Sequence, residues 1–423
     1  MSQQSSHAKS QSDFFAQRRN YFLAPSQTTR GAVVFLLLAG VVTFVTGMVM
    51  GHEVRVWGSF LFNLWFFFSL ALGGIAFAAM QDVIGAKWGR PVIRLHESFA
   101  SFLPLAAGLF IAFFICIKFD VAKADEVFRW IKNPDILEHF FGKRSWLVED
   151  PMLIRNGISA ILVALLAGWQ LKLKLDRDRA MVDGDQAKAT TMALAAQRKL
   201  RYWSAPILVA YALLFSFMSF DLLKSLSPLW FSTLWGGWAF AIMMQTLMAT
   251  LLIVMFALKG TAIGQVITRE QFHDVGKLMH GFTIFFAYLT YAHVLTYWYG
   301  NIPEETLYFI ERMQAPWIYI VMAAPIMSFL IPLFALIPKT SKWTSGITLP
   351  LAGLILFAQW LAFLLVVMPE VVPAAQWRFP WLEIGVFFGF LGLFMQTILR
   401  FGKRNPMVAI ADPLLPAAYA GHH

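Results

Sequence analysis

The chain has 423 residues, of which 58% are hydrophobic, 16% aromatic and only 14% charged, with a formal net charge of +10. Soluble domains run at about 45–50% apolar and about 25% charged, and no soluble fold has interior enough for this much apolar side chain. The composition excludes an ordinary cytosolic enzyme, a disordered chain and a nucleic-acid binder. The single cysteine, Cys116, excludes a disulfide framework, a Cys-rich zinc site, an intrinsic iron–sulfur cluster and a CxxCH haem attachment. What remains is an all-α polytopic membrane protein.

A membrane-spanning helix needs about 20 mostly apolar residues. Ten stretches qualify: 30–51, 57–80, 99–118, 152–172, 204–220, 229–258, 275–299, 315–337, 346–368 and 380–400. Residues 1–29 form a Ser/Gln-rich tail without an apolar core, and span 1 ends without an Ala-x-Ala site, so it is expected to be retained rather than cleaved. Of the 34 Lys and Arg, 23 fall on the side holding both tails and loops 2–3, 4–5, 6–7 and 8–9. Positively charged loops stay cytoplasmic, so both termini are expected inside. The basic 172–201 segment reads as a headgroup-facing loop or interfacial helix. The outer loop 119–150 sets Val127, Phe128, Trp130, Ile131, Ile136, Leu137, Phe140 and Phe141 among charges. It reads as a helical excursion lying on the outer surface or against a partner.

An internal repeat organises the spans. Phe67–Phe77 in span 2 and Trp230–Phe240 in span 6 match at six of eleven positions, in the pattern Phe-Ser, Gly-Gly, Ala-Phe. One span later, His96-Glu97 opens span 3 and His273-Asp274 opens span 7. Asp221 and Glu370 stand at the far ends of spans 5 and 9. The order predicts two parallel four-helix bundles, spans 2–5 and 6–9, flanked by spans 1 and 10. In residue terms this is a tail at 1–29, flanking helix 1 at 30–56, a first unit at 57–220, a second at 221–368, flanking helix 10 at 369–400 and a tail at 401–423. The Gly-Gly pairs and Gly385-x-x-x-Gly389 suit close helix packing in lipid.

Ionisable groups in a bilayer are functional candidates by default. Span 7 is the richest: His273, Lys277, His280, Tyr288 and Tyr291 fall on one helical face, with Asp274 placed to pair with Lys277. Such a face is either a proton half-channel or a set of polar groups satisfying one another. His96 and Glu97 occupy the equivalent inner mouth of the first unit. Asp221, Glu304, Glu305 and Glu370 mark the outer ends, as exit groups of a proton path or acceptors of quinol protons. Glu304 and Glu305 also suit a helix start after Pro303. An intrinsic haem b is not expected, because His280 and His293 lie on the same span at different depths.

Three motifs carry a resemblance: Phe220-Asp221 with Ser227-Pro228-Leu229-Trp230-Phe231-Ser232-Thr233, then His273–Met279, then Trp298-Tyr299-Gly300-Asn301-Ile302-Pro303-Glu304-Glu305-Thr306. With the ten-span layout they resemble the ActF-type subunits of bacterial alternative complex III, a quinol:cytochrome c oxidoreductase with NrfD/PsrC-like membrane subunits. The resemblance implies a subunit without haem, iron–sulfur cluster or metal, taking quinone or quinol and lipid at most. It implies partners: a paralogous ten-helix quinol-binding subunit, an iron–sulfur subunit, and multihaem and monohaem cytochrome c subunits. It implies a proton conduit, with Asp221, His273, Asp274, Lys277, Asn301, Glu304 and Glu305 matching the motif residues, and the chain departs from the pattern at Leu229, His280 and His293. The rivals are a secondary transporter built on duplicated bundles and a purely structural scaffold.

Overall fold

The computed structural model describes residues 16–138 and 141–419, without the side chains of Phe141 and Glu304. Among the described residues the chain is all-helical, with ten helices long and apolar enough to cross a membrane. They are α1 (Gln27–Val49), α2 (Glu53–Ile84), α3 (Ile93–Lys118), α4 (Glu149–Val182), α5 (Gln186–Leu222), α6 (Trp235–Ala257), α7 (Arg269–Gly300), α8 (Trp317–Ala335), α9 (Ser345–Val371) and α10 (Trp381–Arg404).

Packing runs largely between neighbours in sequence. α2 packs on α5, α3 on α4 and α4 on α5, while α6 packs on α7 and α9 and α8 on α9. α2 also packs on α6, α9 and α10, which makes it the central post. Accordingly 94% of its most apolar window is buried. α1 lies along α10, where Gly40 meets Gly389 backbone to backbone and Gly385 meets Thr43. Small residues let two backbones approach this closely where no hydrophobic effect drives them together.

The basic 172–201 segment is neither a loop nor a helix lying along the surface. α4 runs 34 residues and α5 runs 37, about 50 Å each at 1.5 Å per residue, well beyond a hydrocarbon core of about 30 Å. The segment is rich in strong helix formers. The reversal between them uses Gly184 at φ +92°, and Asp185 caps α5 by accepting the Lys188 amide at 2.9 Å. Loop 119–150 likewise packs on its own chain. Val127, Phe128, Trp130 and Leu137 are buried, and the Trp57 indole N–H donates to the Ala122 carbonyl at 3.1 Å. Phe140 lies outside the described residues.

α8 is broken. Pro325 and Pro332 remove backbone donors, and residues 326–330 take one π-turn. The Ser328 carbonyl in that turn accepts from the Gln245 amide of α6 at 2.9 Å, so the bend leaves no orphan there. α4 is continuous over the corresponding stretch.

The α1–α10 crossing yields a prediction. A Cβ on Gly40 would stand 2.2 Å from the Gly389 Cα, whereas Gly31 on the same helix has open space. Gly40→Ala is expected to cost about 1–3 kcal/mol by forced separation, and Gly31→Ala nothing measurable. Thermal unfolding in detergent checks both; equal melting points would refute the close crossing.

Candidate functional site: a buried ion network and an aromatic cavity

The first site forms where α2 ends, α3 begins and α4 leaves the bundle; this is called the basic end below. Gly85 closes α2 at φ +62°, and the chain turns through Arg90 into α3. Asp82 lies one turn before that cap. Lys174, Arg177 and Asp178 follow one another along α4, and Asp412 arrives from the segment after α10. Four carboxylates and four cations thus converge. The Lys174 ammonium bridges Glu97 at 2.5 Å and Asp82 at 2.6 Å. Arg94 donates to Glu97 at 2.8 Å and to Asp178 at 2.5 Å. Arg90 reaches Asp82 at 2.8 Å and Asp412 at 3.3 Å, and Arg177 reaches Asp412 at 2.8 Å.

Arg94, His96, Glu97 and Asp178 are all 0% exposed. Burial alone would push the Asp412 carboxyl up, but Arg177 and Arg90 beside it hold it well below the usual carboxylate range. A cleft of about 260 Å³ opens beside Asp82, Arg90, Arg177, Arg201 and Asp412, so the network reaches the outside along this edge.

His96 stands on the membrane side of these charges. Its Nδ1 lies 2.8 Å from the Gly74 carbonyl and its Nε2 lies 3.4 Å from the Gln81 amide nitrogen. A carbonyl only accepts and an amide N–H only donates. The ring is therefore the neutral Nδ1–H tautomer with Nε2 as acceptor. Gly74 is required here, since a Cβ would stand 2.2 Å from the His96 carbonyl oxygen. Its counterpart Gly237 meets Leu289 at an ordinary 3.7 Å, so the two Gly-Gly pairs do different work.

The second site lies at the opposite, far end. A cavity of about 540 Å³ sits between α6, α7, α8 and the short helix Pro303–Arg312. Trp235, Trp238, Phe286, Tyr297, Tyr308 and Phe309 wall it. Asn301, at φ +44°, ends α7, and Pro303 starts the short helix, which folds its aromatic residues over the cavity. Its polar groups are few. His293 Nε2 lies 2.6 Å from the Ser232 hydroxyl, and the Trp238 N–H donates to Thr290 at 3.0 Å. Arg312 donates to Glu370 at 3.0 Å and lies 3.4 Å over the Tyr308 ring. At the rim, Lys143 donates to the Pro228 and Trp230 carbonyls, and burial lowers its ammonium to about 8 despite Glu305 nearby. Between the two ends, Gln359, Gln245 and Thr283 join in a buried amide–hydroxyl chain.

The structure distributes the sequence-predicted residues unevenly. His96 and Glu97 enter the ion network. Asp221 is buried with Arg155 at 2.5 Å, the Trp146 N–H at 2.8 Å and Asn156 at 2.8 Å. Glu370 joins Arg312 beside the cavity and accepts from Ser227 at 2.5 Å. Asp274 and Lys277 pair at 2.8 Å as their spacing predicts, and His273 rests its ring near Trp343.

The span 7 face does not line the bundle interior. Tyr288 and Tyr291 are 64% exposed, Lys277 points outward and His280 is half-buried. The buried face of α7 instead presents Met279, Thr283, Phe286, His293 and Tyr297. Glu305 is half-buried, and the Glu304 side chain lies outside the described residues.

Sequence reasoning missed Asp82, Arg94, Lys174, Asp178 and Asp412, and the buried Arg55–Glu383 pair at 2.8 Å. Glu383 was findable, as a lone acid inside an apolar stretch. No protein-family model matches the chain, and no curated protein does.

Removing one partner of a buried ion cluster strands the others, at about 3–5 kcal/mol. Lys174→Met, which leaves Asp82 and Glu97 short of a cation, is expected to lose that much against unfolding. Lys172→Met, on the exposed side of the same turn, should stay within about 0.5 kcal/mol. Matching denaturation midpoints for the two variants would show that the network carries no stability.

Proposed function

We propose that the chain is a proton-moving, quinol-interacting membrane subunit of a bacterial respiratory quinol:cytochrome c oxidoreductase of the alternative complex III type. It holds no redox centre of its own. An iron–sulfur subunit, cytochrome c subunits and a paralogous ten-helix subunit supply the electron path. The basic end faces the cytoplasm with both termini, following the Lys/Arg asymmetry, and spans 2–5 and 6–9 form two parallel four-helix bundles. The complex type rests on the motif resemblance. The mechanism rests on the chain's own residues.

The observation that carries the reading is the ion network. Buried charges are costly, and replacing such a cluster by apolar side chains is often neutral or stabilising. Tying elements together, which is all a scaffold asks, is done as well by apolar side chains. A proton entry calls for charged groups: carboxylates line the cleft edge, Glu97 joins Lys174 to Arg94 behind them, and His96, held between Gly74 and Gln81, comes next. The buried Gln359–Gln245–Thr283 chain supplies polar groups at mid-depth of the second unit.

At the far end, the aromatic cavity has the size and chemistry for a quinol ring. Trp and Tyr faces stack it, and the His293–Ser232 pair in its apolar wall is the polar contact for a ring hydroxyl. The Arg312-paired Glu370 stands next to it. The transporter reading is less well supported, because such proteins break helices at corresponding places in both repeats. Here α8 is broken and α4 is not.

Glu97→Gln can keep only one of the two hydrogen bonds, from Lys174 or Arg94, and removes the charge that takes up a proton, while each cation keeps a second carboxylate, Asp82 or Asp178. In the purified complex it is expected to leave assembly and quinol:cytochrome c electron transfer largely intact. Proton uptake from the cytoplasmic side of reconstituted vesicles should fall by roughly tenfold or more, the range that general acid–base groups contribute. Assembly and electron transfer declining together would favour the scaffold.

A further inference from the structure

One helix breaks the rule that outward-facing surfaces in lipid are apolar. α1 and α8 bury only 17% of their most apolar windows, and both are strongly apolar. Their exposed residues include Phe35, Leu38, Val42 and Phe334. α7 buries 28% of its window, yet it is the least apolar of the ten.

Besides its inward polar groups, α7 carries an outward stripe: Lys277, Tyr288 and Tyr291, with Gly281 between them, share a face. From Lys277 to Tyr291 the stripe runs about 21 Å at 1.5 Å per residue, most of a hydrocarbon core of about 30 Å. Lys277 is held by Asp274 near the helix start, and a lysine there can reach the headgroups. α7 runs 32 residues, about 48 Å, so a core of about 30 Å centred on it leaves Tyr288 about 10 Å inside the boundary. Among the described residues neither tyrosine hydroxyl has a hydrogen-bond partner within the chain. Gly281, on the same face, has nothing within 4 Å of its Cβ position, which leaves room for a second backbone to approach closely.

We propose that this stripe is an interface with a transmembrane helix of a different polypeptide, one that offers carboxylate, amide or hydroxyl oxygens to Tyr288, Tyr291 and Lys277. A second copy of this chain fits less well, because a two-fold contact sets the same patch against itself and would bring one Lys277 ammonium up to the other at the same depth. The interface goes beyond the function proposed above. It rests on exposure and hydrogen-bonding capacity alone and holds for any complex.

The test places a benzophenone amino acid at Tyr288, and separately at Val42 of α1 as a lipid-facing control, in the full chain in its native membrane. On irradiation, the Tyr288 probe is expected to join one discrete polypeptide through a transmembrane peptide that carries a polar residue, and the Val42 probe to join lipid. The double variant Tyr288→Phe/Tyr291→Phe keeps the rings and removes the hydroxyls. It should lower recovery of that polypeptide with the chain by roughly tenfold, the worth of two interhelical hydrogen bonds, while the chain's own melting point stays unchanged.

Lipid-only adducts at Tyr288, a cross-linked dimer of this chain, or undiminished recovery in the double variant would each overturn the proposal. A cross-linked partner unrelated to electron transfer would instead contradict the respiratory reading and leave the interface standing.

Discussion

A carboxylate taken into a membrane protein must find a cation, and that requirement organises this chain. Every buried carboxylate among the described residues touches a Lys or Arg. At the far end the pairs are single: Arg55 with Glu383, Arg155 with Asp221 and Arg312 with Glu370. Each ties two elements distant in sequence, so the pairs staple loops and helix ends that apolar packing alone would leave free to slide. At the basic end the pairs merge into one network, which draws α2, α3, α4 and the segment after α10 together. Asp178 also accepts the Ala411 amide at 3.1 Å, so that segment is held by backbone as well as by charge.

The repeated sequence pattern sits in different surroundings in the two halves of the chain. Both carry the Gly-Gly pattern and a His-acid pair at the same relative place. In the first half the His-acid pair is fully buried and Gly74 presses on it. In the second half His273 and Asp274 are partly exposed and pair locally with Lys277. The aromatic cavity and the broken α8 belong to the second half alone. The ion network and the aromatic cavity thus lie at opposite ends, with α2 packed on helices of both halves.

Much of this was legible in the sequence. The ten spans follow from apolar length, and Glu97, Asp221 and Glu370 from the presence of acids at span ends. The partners were harder, for a physical reason. Lys174 and Arg177 look like positively charged loop residues that set topology, and nothing in their spacing tells a headgroup contact from a buried ion pair. Their acidic partners Asp82 and Asp412 lie far off in the chain. The inward face of α7 was illegible because both of its faces carry polar groups. In water the apolar face of a helix turns inward, but lipid removes that rule, so a helical wheel cannot choose between Tyr288 and His293. The cavity was hidden in the same way, since tryptophans are common at any membrane interface.

The central claim is that the basic-end network changes protonation during turnover rather than standing as fixed ion pairs. Infrared difference spectroscopy on the complex, triggered by quinol addition, tests it most directly. The account predicts a transient protonated-carboxyl band that shifts in heavy water and disappears in Glu97→Gln. Turnover at full rate with the carboxylate bands unchanged would contradict it.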